Sequence, residues 1–206
     1  MNQLKTIVLG FISLYLIGCQ SQPVVLFENI YIGDTLESCL ANGTVQHNPD
    51  YNIETLAPNF KNQFELSNSS LANSNFSYTG VWFDNNHIVK SIELSFHQKE
   101  TGKTAKDVFN FMTQYFCQRY HGMRTDTVNE QWESDSYDLK YDKEGVKNIW
   151  ETDELRITLL SYDATRVNHS SVYDENGNWS AYLSIREDIA KRYYDGKWVE
   201  LKIVVK

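Results

Sequence analysis

Asp135, Asp138, Asp142 and Glu144 crowd one short stretch of the chain. Carboxylates at that density can hold calcium, serve as acid and base, or meet a basic partner. A solvated loop between strands accounts for the same residues, and among the functional options a partner surface suits them best. A hydrolase using Asp135 or Asp138 would need two carboxyls roughly 5–10 Å apart in a cleft. Gly102-Lys103-Thr104 stands between a strand and a helix, where a phosphate loop belongs, but the earlier glycine that such a loop needs is His97 here. A capped helix start explains those residues. Asp174-Glu175-Asn176-Gly177-Asn178 has acidic spacing similar to a calcium loop, yet its sixth position is Trp179 rather than glycine. A hairpin turn at Asn176-Gly177 is the better account.

His47, His87, His97, His121 and His169 are scattered without the spacing of zinc ligands, and no nucleophile elbow or Ser-x-x-Lys set occurs. No cofactor and no metal are expected. Five tryptophans (Trp82, Trp132, Trp150, Trp179 and Trp198) and thirteen tyrosines suit sheet packing, or stacking on a sugar or peptide. Sugar binding would require exposed tryptophans, and burial of all five would exclude it.

The first residues carry an address rather than chemistry. Lys5 precedes a largely apolar run from Thr6 to Ile17, too short for a bilayer core that needs roughly 20 residues. Leu16-Ile17-Gly18-Cys19 then follows, and this segment resembles the bacterial lipobox. The resemblance implies cleavage before Cys19, acylation of its thiol and new amino terminus, and stable anchoring by two or three acyl chains. It places the protein in the cell envelope. In a Gram-negative source, Gln20 in place of Asp points to the outer membrane, facing the periplasm. Residues 1–18 are thus read as signal peptide, 19–23 as lipidated tether and 24–206 as one domain.

Loss of Lys5 takes the formal charge from −8 to −9, which disfavours nucleic acid and anionic headgroups and favours a basic protein partner. The remaining 188 residues suffice for a sizeable core. Cys39 and Cys117 remain as an even pair in an exported chain, so a disulfide between them is expected.

These residues must be positioned by local elements. Val24–Ile32 is β-branched and reads as a first strand. Asp34 reads as a cap, with Glu37 reaching back, for a short helix stopped at Gly43. Residues 44–75, rich in Asn and Ser, read mostly as loop. Residues 77–84 and 87–97 form a hairpin about Asp84-Asn85-Asn86, with Ile88, Ile92, Leu94 and Phe96 on one face. Thr104 caps a helix over 105–120 with an apolar stripe at threes and fours. Further strands are expected at 126–133, 147–152, 155–162, 170–173 and 179–186, then a short helix at 187–194 and a closing strand from Lys197 to Val205. The sum is an α+β domain: an antiparallel sheet with two main helices packed on one face. The helix opening Gly-Asp-Thr followed by hairpins is similar to several small envelope lipoprotein families, a likeness that carries no function. The expected role is a non-catalytic protein-binding or accessory module, for instance of immunity type. The alternative is an envelope hydrolase or glycan-binding lipoprotein acting on cell-wall material.

Overall fold

A computed structural model of the chain describes residues 24–47, 63–98, 102–134, 139–167, 176–178 and 195–206. The expected strands at 170–173 and 179–186, the helix at 187–194, and Cys19, Asp135 and Asp138 lie outside the described residues.

The chain enters through two short strands, β1 (Val25–Phe27) and β2 (Ile30–Tyr31), rather than one. Glu28 turns the backbone between them at φ 48°, and Phe27 then pairs with Ile30. Helix α1 (Leu36–Ala41) is capped one residue later than expected. Thr35 accepts from the Ser38 amide, and the Ser38 hydroxyl accepts from the Thr35 amide. Asp34 instead accepts from the Tyr31 amide at 2.8 Å.

The stretch read as loop contains β3 (Val45–Gln46), β4 (Gln63–Leu66) and α2 (Ser70–Asn75). Ser69 caps α2, and buried Phe64, Leu66 and Ala72 tie the polar stretch to the core. Sparse apolar residues were enough, because neighbouring strands supply the ladder that local propensity does not.

Strands β5 (Tyr78–Phe83) and β6 (Val89–His97) form the expected hairpin. Asp84 Oδ1 accepts the amides of Asn86 and Ile88, at 2.8 and 2.9 Å. Helix α3 (Ala105–Cys117) follows its Thr104 cap and buries Ala105, Val108, Met112 and Phe116. Three long strands come next, β7 (Arg124–Ser134), β8 (Leu139–Glu151) and β9 (Leu155–Arg166), and β10 (Gly196–Val205) closes the described chain. The sheet is antiparallel throughout, ordered β3-β4-β5-β6-β10-β9-β8-β7. The molecule is therefore α+β and dominated by its sheet.

One face of the sheet carries the core. Ile92, Leu94 and Phe96 of β6, Leu201 and Ile203 of β10, and Ile157 and Leu159 of β9 lie there with buried residues of all three helices. On the other face of β6, Ser91 and His97 are buried as well, so that strand is not half-solvated as its alternation suggests. Among the described residues no helix is long and apolar enough to cross a membrane.

The expected disulfide is absent: Cys39 and Cys117 are both free thiols. Cys39 points from α1 into the core, whereas Cys117 sits exposed at the end of α3, its sulfur 3.7 Å from that of Met123. Burial, more than the nearby Asp34 carboxylate, raises the Cys39 thiol above its ordinary value. Alkylation of the native chain, mapped by peptide mass, should therefore modify Cys117 within minutes. Cys39 should react roughly 10³-fold more slowly, because it requires opening of the fold. A peptide joining the two cysteines, or equal rates, would contradict this arrangement.

Candidate functional site

On the face opposite the helices the long strands carry a second, smaller cluster in which Leu139, Tyr141, Tyr162 and Ala164 are buried. Side chains alternate along a strand, so residues two apart share a face. On β8 that outward row is Leu139, Tyr141, Lys143 and Gly145. Register sets Tyr141 opposite Trp132 of β7, Gly145 opposite Tyr162 of β9, and Lys143 opposite Ala164. Tyr162 in turn pairs with Trp198 of β10, and Trp198 with His97.

These pairings enclose a hollow of about 210 Å³, lined among the described residues by the rings of Trp132, Tyr141, Tyr162 and Trp198, with Ala164, Lys143 and Glu200. Trp132 and Tyr141 lie 5.6 Å apart between centroids, tilted by 38°. Trp198 is stacked on buried His97 at 4.2 Å, and His97 Nε2 lies 3.0 Å from the Asp195 carbonyl oxygen. That contact orients Trp198 from beneath.

Two charges sit among the rings. The Lys143 ammonium lies 4.5 Å from the Tyr162 centroid and 5.5 Å from that of Trp132. Glu200 Oε1 accepts from the Tyr162 hydroxyl at 2.5 Å. Burial first, and then the Glu200 charge, hold the Tyr162 phenol protonated, raised well above the usual tyrosine range. Among the described residues neither Lys143 nor Glu200 makes an ion pair. The hollow therefore offers flat apolar faces, one cationic donor and one carboxylate acceptor.

Asp142 and Glu144, expected to form an acidic loop, lie within β8 and on the helix-side face, away from the hollow. The Gln131 amide donates to Asp142 at 2.9 Å, and Glu144 stands opposite Asn129 and Asp163. Glu200 is the one carboxylate among the described lining residues, so paired catalytic carboxyls are not brought together there. Lys103 donates to the Ser74 carbonyl and to Asn75 Oδ1 at the end of α2, and Thr104 caps α3, so the phosphate-loop-like residues serve helix ends. Among the described residues no three His, Cys, Asp or Glu side chains gather to hold a metal ion. Of the tryptophans, Trp150 is fully buried, whereas Trp132 is 37% exposed at the rim of the hollow. Trp179 lies outside the described residues.

Strand β7 supplies a second feature. It pairs with β8 without a register shift from Arg124↔Ile149 to Ser134↔Leu139 and ends the sheet among the described residues. The opposite edge is the two-residue β3. Sheets commonly end in such short strands, whereas a long unbulged edge is a template for another chain. Asp126, Glu130 and Glu133 stand along β7, Asp126 paired with Arg124 at 3.1 Å and Glu133 with Lys140 of β8 at 3.6 Å, while Glu130 stands opposite Lys143. On the helix side, Asp142, Glu144 and Asp163 extend the acidic surface.

A larger, shallower depression of about 680 Å³ lies where the chain enters, beside Val24, Val25, Leu71, Tyr115, Arg119 and Tyr120. The Tyr120 hydroxyl donates to the Val25 carbonyl at 3.0 Å and ties the end of α3 to β1.

Lys143, Tyr162 and Glu200 are not distinguishable as site residues in the sequence. Their only signal is the alternation Tyr141-x-Lys143-x-Gly145, which is legible as one face only once β8 is known to start at Leu139. The chain matches no protein-family model, no curated protein and no solved structure.

Proposed function

We propose that this protein is a lipid-anchored, non-catalytic envelope module that holds a basic protein partner along the outer edge of β7, which no described strand pairs. The observation that carries the reading is that edge: eleven residues, unbulged and acidic. A partner strand added there would complete the backbone ladder, and Lys or Arg at its alternate positions would face Asp126 and Glu130, which share one side of β7. The anchor rests on the lipobox-like Leu16-Ile17-Gly18-Cys19. Four extended residues, Gln20–Pro23, span at most about 14 Å, so the β1 end lies near the bilayer. Trp132 lies eight residues beyond Arg124, roughly 27 Å along β7, which leaves strand length for a partner.

A photo-crosslinking residue replacing exposed Asn129 should give a discrete protein adduct in intact source cells, and one replacing Gln46 on β3 should not. The combined Asp126→Lys, Glu130→Lys and Glu133→Lys variant should reduce that adduct at least tenfold with the fold unchanged. Equal crosslinking from both edges, or an adduct indifferent to charge reversal, would refute the edge. Mass spectrometry finding Cys19 unacylated would refute the anchor separately.

A further inference from the structure

We infer that the shallow depression at the chain entry docks on the bilayer itself, resting on a zwitterionic phospholipid surface and fixing the orientation of the domain. This docking depends on the lipid anchor proposed above and goes beyond it by assigning the side that meets the membrane.

The face is a built one. Two hydrogen bonds fasten the three elements that make it. The Glu28 carboxylate accepts from the Leu71 amide at 3.0 Å, which ties the β1–β2 turn to the start of α2. The Tyr120 hydroxyl ties the chain just past α3 to β1 through the Val25 carbonyl. Arg119 is held as well. Its guanidinium lies 3.6 Å from the Tyr115 ring centroid, and Nη1 donates to the Tyr115 carbonyl at 2.9 Å. That bond uses one of five N–H donors, and among the described residues Arg119 makes no ion pair.

The residue types are those of a headgroup boundary. Tyr115, Tyr120 and Arg119 carry apolar bodies with polar tips, a combination that settles between hydrocarbon and water. Val25 is 38% exposed, and Phe111, one turn before Tyr115 on α3, is 45% exposed, so apolar surface stays open around the depression. Glu28 and Arg119 are the two charged residues of its described lining, and their charges cancel. A neutral face suits zwitterionic headgroups, whereas the acidic surface of β7 and β8 would be repelled by anionic ones.

Chain length selects the occupant. Val24 lines the depression, and residues 20–23 before it reach at most about 14 Å from Cys19. With Cys19 acylated, the depression stays beside the bilayer, and contact with lipid becomes an intramolecular step for which weak attraction suffices. A soluble partner has no such advantage.

The test uses the full acylated chain in vesicles of phosphatidylethanolamine and phosphatidylcholine. In a Cys117→Ser background, a fluorophore is attached to one new thiol at a time. Asn29→Cys and Ser70→Cys report from the docking face, and Asn129→Cys and Thr165→Cys from β7 and β9, all four being exposed positions. A nitroxide on the lipid headgroups should quench the first two labels roughly threefold or more above the other two. Adding Val25→Asp and Arg119→Glu should make the four equal, while the chain still floats with the vesicles and its Tm stays near that of the parent. Equal quenching of all four labels before that change, in a chain that floats, would overturn the docking and leave the anchor standing. A chain that fails to float would overturn both. Stronger quenching at Ser70→Cys on adding phosphatidylglycerol would overturn the zwitterionic assignment. A photo-crosslinker replacing Ser70 that gives a discrete protein adduct in source cells would hand the face to a protein and overturn the proposal.

Discussion

Gly145→Ala is expected to destabilise the fold by about 3 kcal/mol, moving the urea midpoint down by about 1–2 M. A Cβ at this position would lie 2.0 Å from the Ser161 carbonyl oxygen and 2.6 Å from the Tyr162 Cα. Both obstacles are backbone of β9, so no rotamer change relieves the overlap. The β8–β9 ladder itself must part. Gly145 faces Tyr162 in register, and buried Val128 stands opposite it on β7, so the parting would travel to the rings around the hollow. Loss of stability should therefore be accompanied by a shift in the fluorescence of the tryptophans around the hollow. Gly102→Ala is the control, since nothing lies within 4 Å of a Cβ built there. Gly145→Ala unfolding within about 0.5 kcal/mol of the parent would show that the two strands do not approach this closely.

Trp150→Ala should cost about 3–5 kcal/mol and lower Tm by about 10 °C or more. Trp150 is 0% exposed, stands opposite Ile157, and packs on Phe116 of α3 at 5.4 Å between centroids. It thus fastens the long helix to the strands that carry the hollow on their reverse side. Alanine leaves a cavity walled by ladder and helix backbone, which relax little. Trp150→Phe separates volume from polarity. The indole Nε1 is buried with no acceptor among the described residues, and phenylalanine removes that unsatisfied donor while keeping most of the ring. The net cost should be about 1 kcal/mol. A Phe variant as unstable as the Ala variant would mean that the indole nitrogen is bonded in solution.

Where one turn of chain contains both partners of an interaction, the residues announce the structure. Asp84 closes the β5–β6 hairpin through amides two and four residues on, and Thr104 caps α3 through Asp107. The apolar stripe Ala105, Val108, Met112 and Phe116 lies on the predicted face for the same reason. Misreadings arise where the partner is remote. Asp34 has the right type and place for a cap, but Thr35 and Ser38 satisfy each other and leave Asp34 to the Tyr31 amide. Residues 63–75 look like loop because their few apolar residues complete a core supplied by other elements.

The acidic residues illustrate the division most plainly. Asp142 and Glu144 read as a charged loop, because alternation with Tyr141 and Lys143 shows no apolar face on its own. With β7 and β9 on either side, the same alternation sends acids to one face and rings with a lysine to the other. Sequence by itself determined the Asp84 turn, the Thr104 cap, the long helix and the antiparallel class, the first three governed by contacts within a few residues. Only the tertiary structure decided that Cys39 and Cys117 stay apart, that β7 ends the described sheet, and that Trp132, Tyr141, Tyr162 and Trp198 meet. Strand register joins residues as remote as Ser91 and Val204, and shifting it by one residue would turn every one of those side chains to the opposite face.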